Sequence, residues 1–261
     1  MRFAILLSLL LSGASFGQGR FDRFNQRTDQ GRSHRGFEQS GSKTEFCAVA
    51  ATYLTGSSWC LQGNGAMRAG ASRTLVAVNG PTTVTSGGRI AQNLVRASAQ
   101  GYGESSNSVF TAPAAYTVCA LVSFNDFTSN QTAVSMANGI VSTNRNWELY
   151  ANTSSQAVFV AADAAGATSC LSFTGGLVAG TPTLLCGVHD GSNATVYRNT
   201  TAASSAACTG ILSGVSQRAG AGMLWQGAAW QTHLNGIYFG GFYTEQALSP
   251  AQISALYGAL Q

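Results

Sequence analysis

The sequence predicts an all-β protein: two packed antiparallel sheets with one short C-terminal helix. Three observations predict it. Glycine accounts for 31 of 261 residues and only 9% of the chain is charged, a composition suited to short strands and tight turns rather than long solvated helices. Runs of β-forming residues alternate with turn residues between positions 116 and 243. Helix start signals and an apolar helical face coincide in one segment, 249–260.

From the N-terminus, Met1-Arg2 is a short positive start, 3–11 an apolar run and 12–17 a small-residue stretch. This is the layout of a secretory signal peptide over 1–17, with cleavage after Ser15 or Gly17. Its apolar run is far shorter than the roughly 20 residues that span a bilayer. No later run of that kind exists, so no membrane span is predicted and a secreted or periplasmic protein is expected. Residues 18–45 hold six Lys and Arg and four Asp and Glu without apolar periodicity, the composition of a flexible polar arm. Residues 46–261 then form one domain with seven Arg, no Lys and six carboxylates. Such a nearly neutral body argues against a nucleic-acid partner. Six cysteines, Cys47, Cys60, Cys119, Cys170, Cys186 and Cys208, all lie in it, and an even count in an exported chain points to disulfides. Cys47 with Cys60 closes a local loop. Cys119 and Cys186, each in the middle of a strand, either bridge each other or are tied to Cys170 and Cys208.

Tyr116–Phe124 (YTVCALVSF) is apolar at both alternating sets of positions, as in a central strand covered on both faces. Thr183–His189 reads alike; with the turn Asp190-Gly191-Ser192 and 194–198 it makes a β-hairpin. A second hairpin runs from 147–150 through polar 151–156 into Ala157–Ala162. The 237–243 strand carries paired glycines, a signal of a bulge or close backbone contact. In the closing helix Ser249 is the N-cap, Pro250 takes the first helical position and Gln252 completes a capping box. Leu248 staples onto Ile253, and Ile253, Leu256, Tyr257 and Leu260 share one face.

The stretch Asn235-Gly236-Ile237-Tyr238-Phe239-Gly240-Gly241-Phe242-Tyr243, followed by Ala247-Leu248-Ser249-Pro250-Ala251-Gln252-Ile253 and Leu256-Tyr257, resembles the closing strand and "ALS-x-x-x-I-x-x-LY" helix of the concanavalin A-like lectin/glucanase superfamily, in its laminin-G-like branch. Residues 116–121, 140–149 and 183–197 resemble earlier strands of that family in the same order, so the resemblance covers roughly 90–260. Ala120-Leu121 replace the family's tryptophan, Arg198-Asn199 stand where it has glycine, and 46–90 match no part of it. The resemblance implies a two-sheet jelly roll. It leaves function open, because that architecture hosts lectins, hydrolases, lyases and adhesion modules.

Glycoside hydrolysis needs two carboxylates about 5 to 9.5 Å apart across a cleft. The Glu-x-Asp-x-Glu run of the glucanases it resembles is absent, and Glu148, between Trp147 and Leu149, is the one acid placed like a catalytic group. Residues 238–246 resemble an alginate-lyase strand, but Gly240 replaces its lysine. His189 and His233 are the only bases in the domain, and no Gly-x-Ser-x-Gly elbow accompanies them. Calcium is the metal the resemblance implies; Asp126 and Asp190 could contribute oxygens, but no dense acidic loop exists, so no cofactor is expected. Sugar binding asks for aromatic faces flanked by amides and hydroxyls. Trp225 and Trp230 flank Gln226-Gly227-Ala228-Ala229, and Asn146 and Trp147 lie near Tyr150. The expectation is a secreted, non-catalytic, lectin-like module for a cell-surface or extracellular glycan. An adhesive tip that binds a surface protein comes second and a polysaccharide-cleaving enzyme third.

Overall fold

A computed structural model describes residues 43–261, apart from 69–70, 140–142 and 167–168. The signal peptide read at 1–17 and nearly all of the arm at 18–45 lie outside the described residues. Two large sheets dominate. The nine-stranded sheet runs in the order Thr201–Ala202, Asn193–Arg198, Thr183–His189, Tyr116–Phe124, Gly236–Thr244, Arg89–Leu94, Thr82–Ser86, with Trp59–Gln62 paired to Gly236–Thr244 and Ala206–Ala207 to Asn193–Arg198. The eight-stranded sheet runs Ser169–Thr174, Ala157–Ala162, Arg145–Ala151, Gln131–Ala137, Val215–Ala221, Gly101–Gly103, Val76–Val78, with Ser108–Phe110 paired to Val215–Ala221. Neighbouring strands are antiparallel, as in a jelly-roll sandwich.

The pattern of Tyr116–Phe124 explains its central place. Tyr116, Val118, Ala120, Val122 and Phe124 enter the core between the sheets, against Trp147, Phe159 and Tyr243. Cys119 and Leu121 point the other way, into a second apolar layer with Phe46, Phe242, Leu248, Ile253 and Leu256. That layer is covered by the helices Phe46–Ala50 and Pro250–Ala259. Both faces are thus buried, as a strand with no polar alternation requires. In Gly236–Thr244 the register slips between Tyr238 and Gly240, the bulge that the paired glycines signal. A Cβ on Gly240 would lie 2.7 Å from Phe46, and one on Gly241 2.2 Å from the Tyr238 hydroxyl. The closing helix has its capping box: the Ser249 side chain accepts from the Gln252 N–H, and the Gln252 side chain accepts from the Ser249 N–H.

Disulfides join Cys47 to Cys60, Cys119 to Cys186 and Cys170 to Cys208. Cys119 and Cys186 face each other in register on adjacent strands, which removes the alternative that tied these strands to Cys170 and Cys208. Three bridges accord with an oxidising compartment. No helix among the described residues is long and apolar enough to cross a membrane. Residues between 46 and 90, which resembled no part of the family in sequence, supply the covering helix Phe46–Ala50, three strands of the two sheets and the start of Arg89–Leu94.

Candidate functional site

After Val215–Ala221 the chain turns back over the outer face of the eight-stranded sheet. Val134, Met136, Ala219 and Ala221 face the core, so the alternating positions Ser135 and Gly220 face outward. There the Ser135 hydroxyl donates to the Met223 carbonyl at 2.8 Å, and the Thr132 N–H to the Thr232 carbonyl at 2.8 Å. These bonds fasten a small hairpin, Leu224–Trp225 with Trp230–Gln231, in which Trp225 lies opposite Trp230. The two indoles meet edge to face, centroids 5.2 Å apart and planes at 66°. Trp230 lies against Gly103 and Gly220, themselves partners in register. A Cβ on either would come within 2.1 or 2.8 Å of the ring, so the two glycines leave the flat surface that the indole needs.

Trp225 is held from two directions. Its Nε1 donates to Asn138 Oδ1 at 3.1 Å, and the Arg218 guanidinium carbon stands 3.8 Å from its ring centroid, a cation–π arrangement. Arg218 Nε in turn donates to Asn107 Oδ1 at 2.8 Å. Both tryptophans remain half-buried, and 227–229 at the hairpin tip are exposed. The surface combines aromatic rings with amide and guanidinium groups. Such a set can contact an apolar sugar face and hydrogen-bond to hydroxyls. Arg218, Asn138 and Asn107 were not singled out from sequence; the available signal was that Arg218 is one of only seven arginines in the domain.

The other proposed binding cluster is corrected. Trp147 is fully buried, its ring parallel to Tyr243 at 5.9 Å and tilted against Tyr116 at 6.3 Å. Asn146 is also fully buried and donates to the Leu212 carbonyl. Neither presents a surface to a ligand. The register slips between Met136 and Ala137, opposite this segment, and that irregularity takes up Asn146 while Trp147 stays inward. Tyr150 faces outward opposite Thr132 and is half-buried.

Glu148, the catalytic candidate, is 3% exposed. Thr132 Oγ1 donates to one carboxylate oxygen at 2.6 Å and Arg145 Nη1 to the other at 3.0 Å. Burial pushes its carboxyl up, against the opposing pull of Arg145 and Thr132. Each of its carboxylate oxygens thus has a partner within the fold.

The calcium candidates are committed too. Asp126 accepts from both Arg96 Nη atoms, the Thr128 N–H and hydroxyl, and Asn235 Nδ2. Desolvation pushes its carboxyl up, but these bonds outweigh it and hold the pKa down at about 2. Donors surround Asp126 where a cation would need further oxygens. Asp190 caps its own turn, accepting from the Ser192 and Asn193 N–H groups at 2.8 and 2.7 Å. Among the described residues no three His, Cys, Asp or Glu side chains converge into a metal-holding group. Buried His189 stacks on Tyr116 at 5.4 Å and accepts from the Gly191 N–H through Nδ1. His233 bonds to the Trp230 carbonyl through Nε2 at 3.1 Å. Burial lowers both pKa values.

Comparison with known families matches residues 97–254, more than half of the chain, to the profile described as the Concanavalin A-like lectin/glucanases superfamily. No curated protein sequence matches the chain. Among solved structures, Domain 4 of AbnA, a GH43 extracellular arabinanase from Geobacillus stearothermophilus in complex with arabinotriose, is 16% identical with a TM-score of 0.50, over 70% of this chain and 87% of that one. The CBM40 of Ruminococcus gnavus IT-sialidase, bound to α2,3 sialyllactose, is 12% identical with a TM-score of 0.47, over 60% of this chain and 96% of that one. NanB sialidase from Streptococcus pneumoniae is 15% identical with a TM-score of 0.48 over 55% of this chain. The match spans 24% of that sialidase. At 16% identity the likeness to the AbnA domain shows a shared fold.

Proposed function

This chain belongs to the Concanavalin A-like lectin/glucanases superfamily, and from that premise we propose that it is an exported, non-catalytic carbohydrate-binding module whose contact surface is the Trp225–Trp230 hairpin. The observation that carries the reading is the half-exposed tryptophan pair beside Arg218 and Asn138, on a sheet whose acids Glu104 and Glu148 are each held in an ion pair. A domain of the same fold with arabinotriose bound supports it. Recognition is metal-independent, because the oxygens of Asp126 and Asp190 are spent on internal donors. The leader-like 1–17 stretch, with the three disulfides, supports export.

The test is to incubate the oxidised protein with a panel of polysaccharides, with and without a chelator, and to measure retention and polymer length. Saturable retention without shortening, unaffected by the chelator and lost in Trp225→Ala and Trp230→Ala, is expected. Shortened chains would move the protein to the enzyme class. One observation favours the second reading, a protein-binding tip: Leu171 and Phe173, on one face of an edge strand, are 41% and 47% exposed. Indifference to every glycan together with a stable protein complex lost in Phe173→Ser would establish that reading instead.

A further inference from the structure

The domain has seven arginines, and the structure commits three of them to carboxylates: Arg73 to Glu104, Arg96 to Asp126 and Arg145 to Glu148. Arg89 is different. It is 8% exposed, yet among the described residues no carboxylate lies within ion-pair distance and its side chain makes a single hydrogen bond, from Nε to the Thr44 carbonyl at 3.3 Å. An arginine stays charged when buried, and a buried charge without a counter-ion is costly. Glu45 acts on it only through space, partly offsetting the downward pull of burial on its pKa.

Arg89 lines a cavity of about 300 Å³ on the outer face of the nine-stranded sheet. Phe239 and Leu121, each 3% exposed, also line it as apolar groups from the sheet, with Tyr257 of the closing helix, Asn199 and Lys43. The Lys43 N–H is tied to the Gly88 carbonyl of the turn preceding Arg89, at 3.2 Å, so a second cation is tethered at the same cavity. The hairpin of Trp225 and Trp230 belongs to the outer face of the other sheet, and the two features are independent.

We propose that this cavity is a second binding site, for a small organic anion: a carboxylate or sulfate ester carried on a body of about one sugar ring. The unused guanidinium nitrogens of Arg89 form a fork suited to two parallel bonds with such a group. Lys43 adds charge, and Phe239, Leu121 and Tyr257 take the apolar side of the ring. The volume sits at the low end of ligand pockets, about 300 to 1,000 Å³, which selects a single ring or chain end rather than a polymer interior.

The test is calorimetric titration of the oxidised full chain with sodium glucuronate, with glucose as the neutral counterpart and inorganic sulfate as competitor. Glucuronate is expected to bind and glucose not, with sulfate displacing glucuronate. Arg89→Gln should weaken binding by about tenfold or more, the scale of a lost charge-assisted hydrogen bond. Lys43→Gln, at an exposed position that leaves folding intact, should weaken it several-fold. Trp225→Ala should bind glucuronate like the parent, which separates failure here from failure at the hairpin. Equal binding of glucose, unchanged affinity in both charge variants, loss in Trp225→Ala instead, or no glucuronate binding at all would overturn the proposal.

Discussion

Trp147 gives the sharpest test of how the sandwich is held together. Its ring is fully buried, parallel to Tyr243 within 5° and close to Tyr116, while its Nε1 makes no hydrogen bond. Truncating a buried aromatic to alanine costs about 3 to 5 kcal/mol, and the parallel ring pair adds about 0.5 to 1.5 kcal/mol. Removing an unpaired buried donor returns about 1 kcal/mol or more. Trp147→Ala should therefore lower stability by about 4 kcal/mol, which for a domain of this size moves Tm down by roughly 8 to 16 °C. Trp147→Phe keeps most of the apolar body and discards the unpaired donor, so its loss should be about 1 kcal/mol or less. Urea unfolding with the disulfides intact, followed by near-ultraviolet circular dichroism, reads both values. A loss below about 1 kcal/mol for Trp147→Ala, or abolished ligand binding at full stability, would refute the assignment of this ring to the core.

Three further outcomes follow from the described contacts. Asp126, held at about 2 against an ordinary 3.8, contributes stability present above pH 3.8 and lost as pH falls through 2. At 1.36 kcal/mol per pKa unit this is about 2.4 kcal/mol, reduced by solvent screening at a part-exposed carboxylate to about 1 kcal/mol; Asp126→Asn should flatten that acid loss in urea titrations from pH 4 to 2. Glu148 works in the opposite sense: with its pKa raised by burial, it favours folding most below its ordinary 4.5, and that contribution fades as pH rises through the folded value. Glu148→Gln should erase this slope, cost about 1 to 3 kcal/mol at neutral pH by leaving Arg145 without its partner, and leave glycan retention unchanged. Ser249→Ala removes the acceptor of the helix cap and should cost about 1 kcal/mol in the same unfolding assay.

What was legible in the sequence was whatever local chemistry specifies. The closing helix declares itself through Ser249, Pro250 and Gln252, because a cap is a short-range hydrogen-bond arrangement. Tyr116–Phe124 declares its central place because neither alternating face is polar. Trp147 and Trp225 show the limit. Both sit beside polar residues in short strands, and alternation alone does not say which face of a sheet points inward. A register slip opposite Asn146, in the pairing with the preceding strand Gln131–Ala137, and a turn at Gly222, whose N–H donates to the Ala133 carbonyl far earlier in the chain, decide it. The partnership of Arg218 with Trp225 depends on the same turn. Thr82–Ser86 forms the outer end of the nine-stranded sheet and is largely exposed, so no apolar period marks it as a strand in the sequence. The lone Arg89 is invisible in sequence, since an arginine reveals nothing about the absence of a carboxylate until the fold is known.

Indole fluorescence during titration reads glycan binding at the Trp225–Trp230 hairpin itself. Trp59 and Trp147 are buried to 1% exposure or less, so a change in emission or in shielding from an aqueous quencher should come from the hairpin pair. A saturable change with a polysaccharide retained in the panel is expected, abolished in Trp225→Ala and Trp230→Ala while both variants keep the cooperative unfolding of the parent. Retention that leaves hairpin emission and quenching untouched, with both variants binding like the parent, would contradict binding at the hairpin.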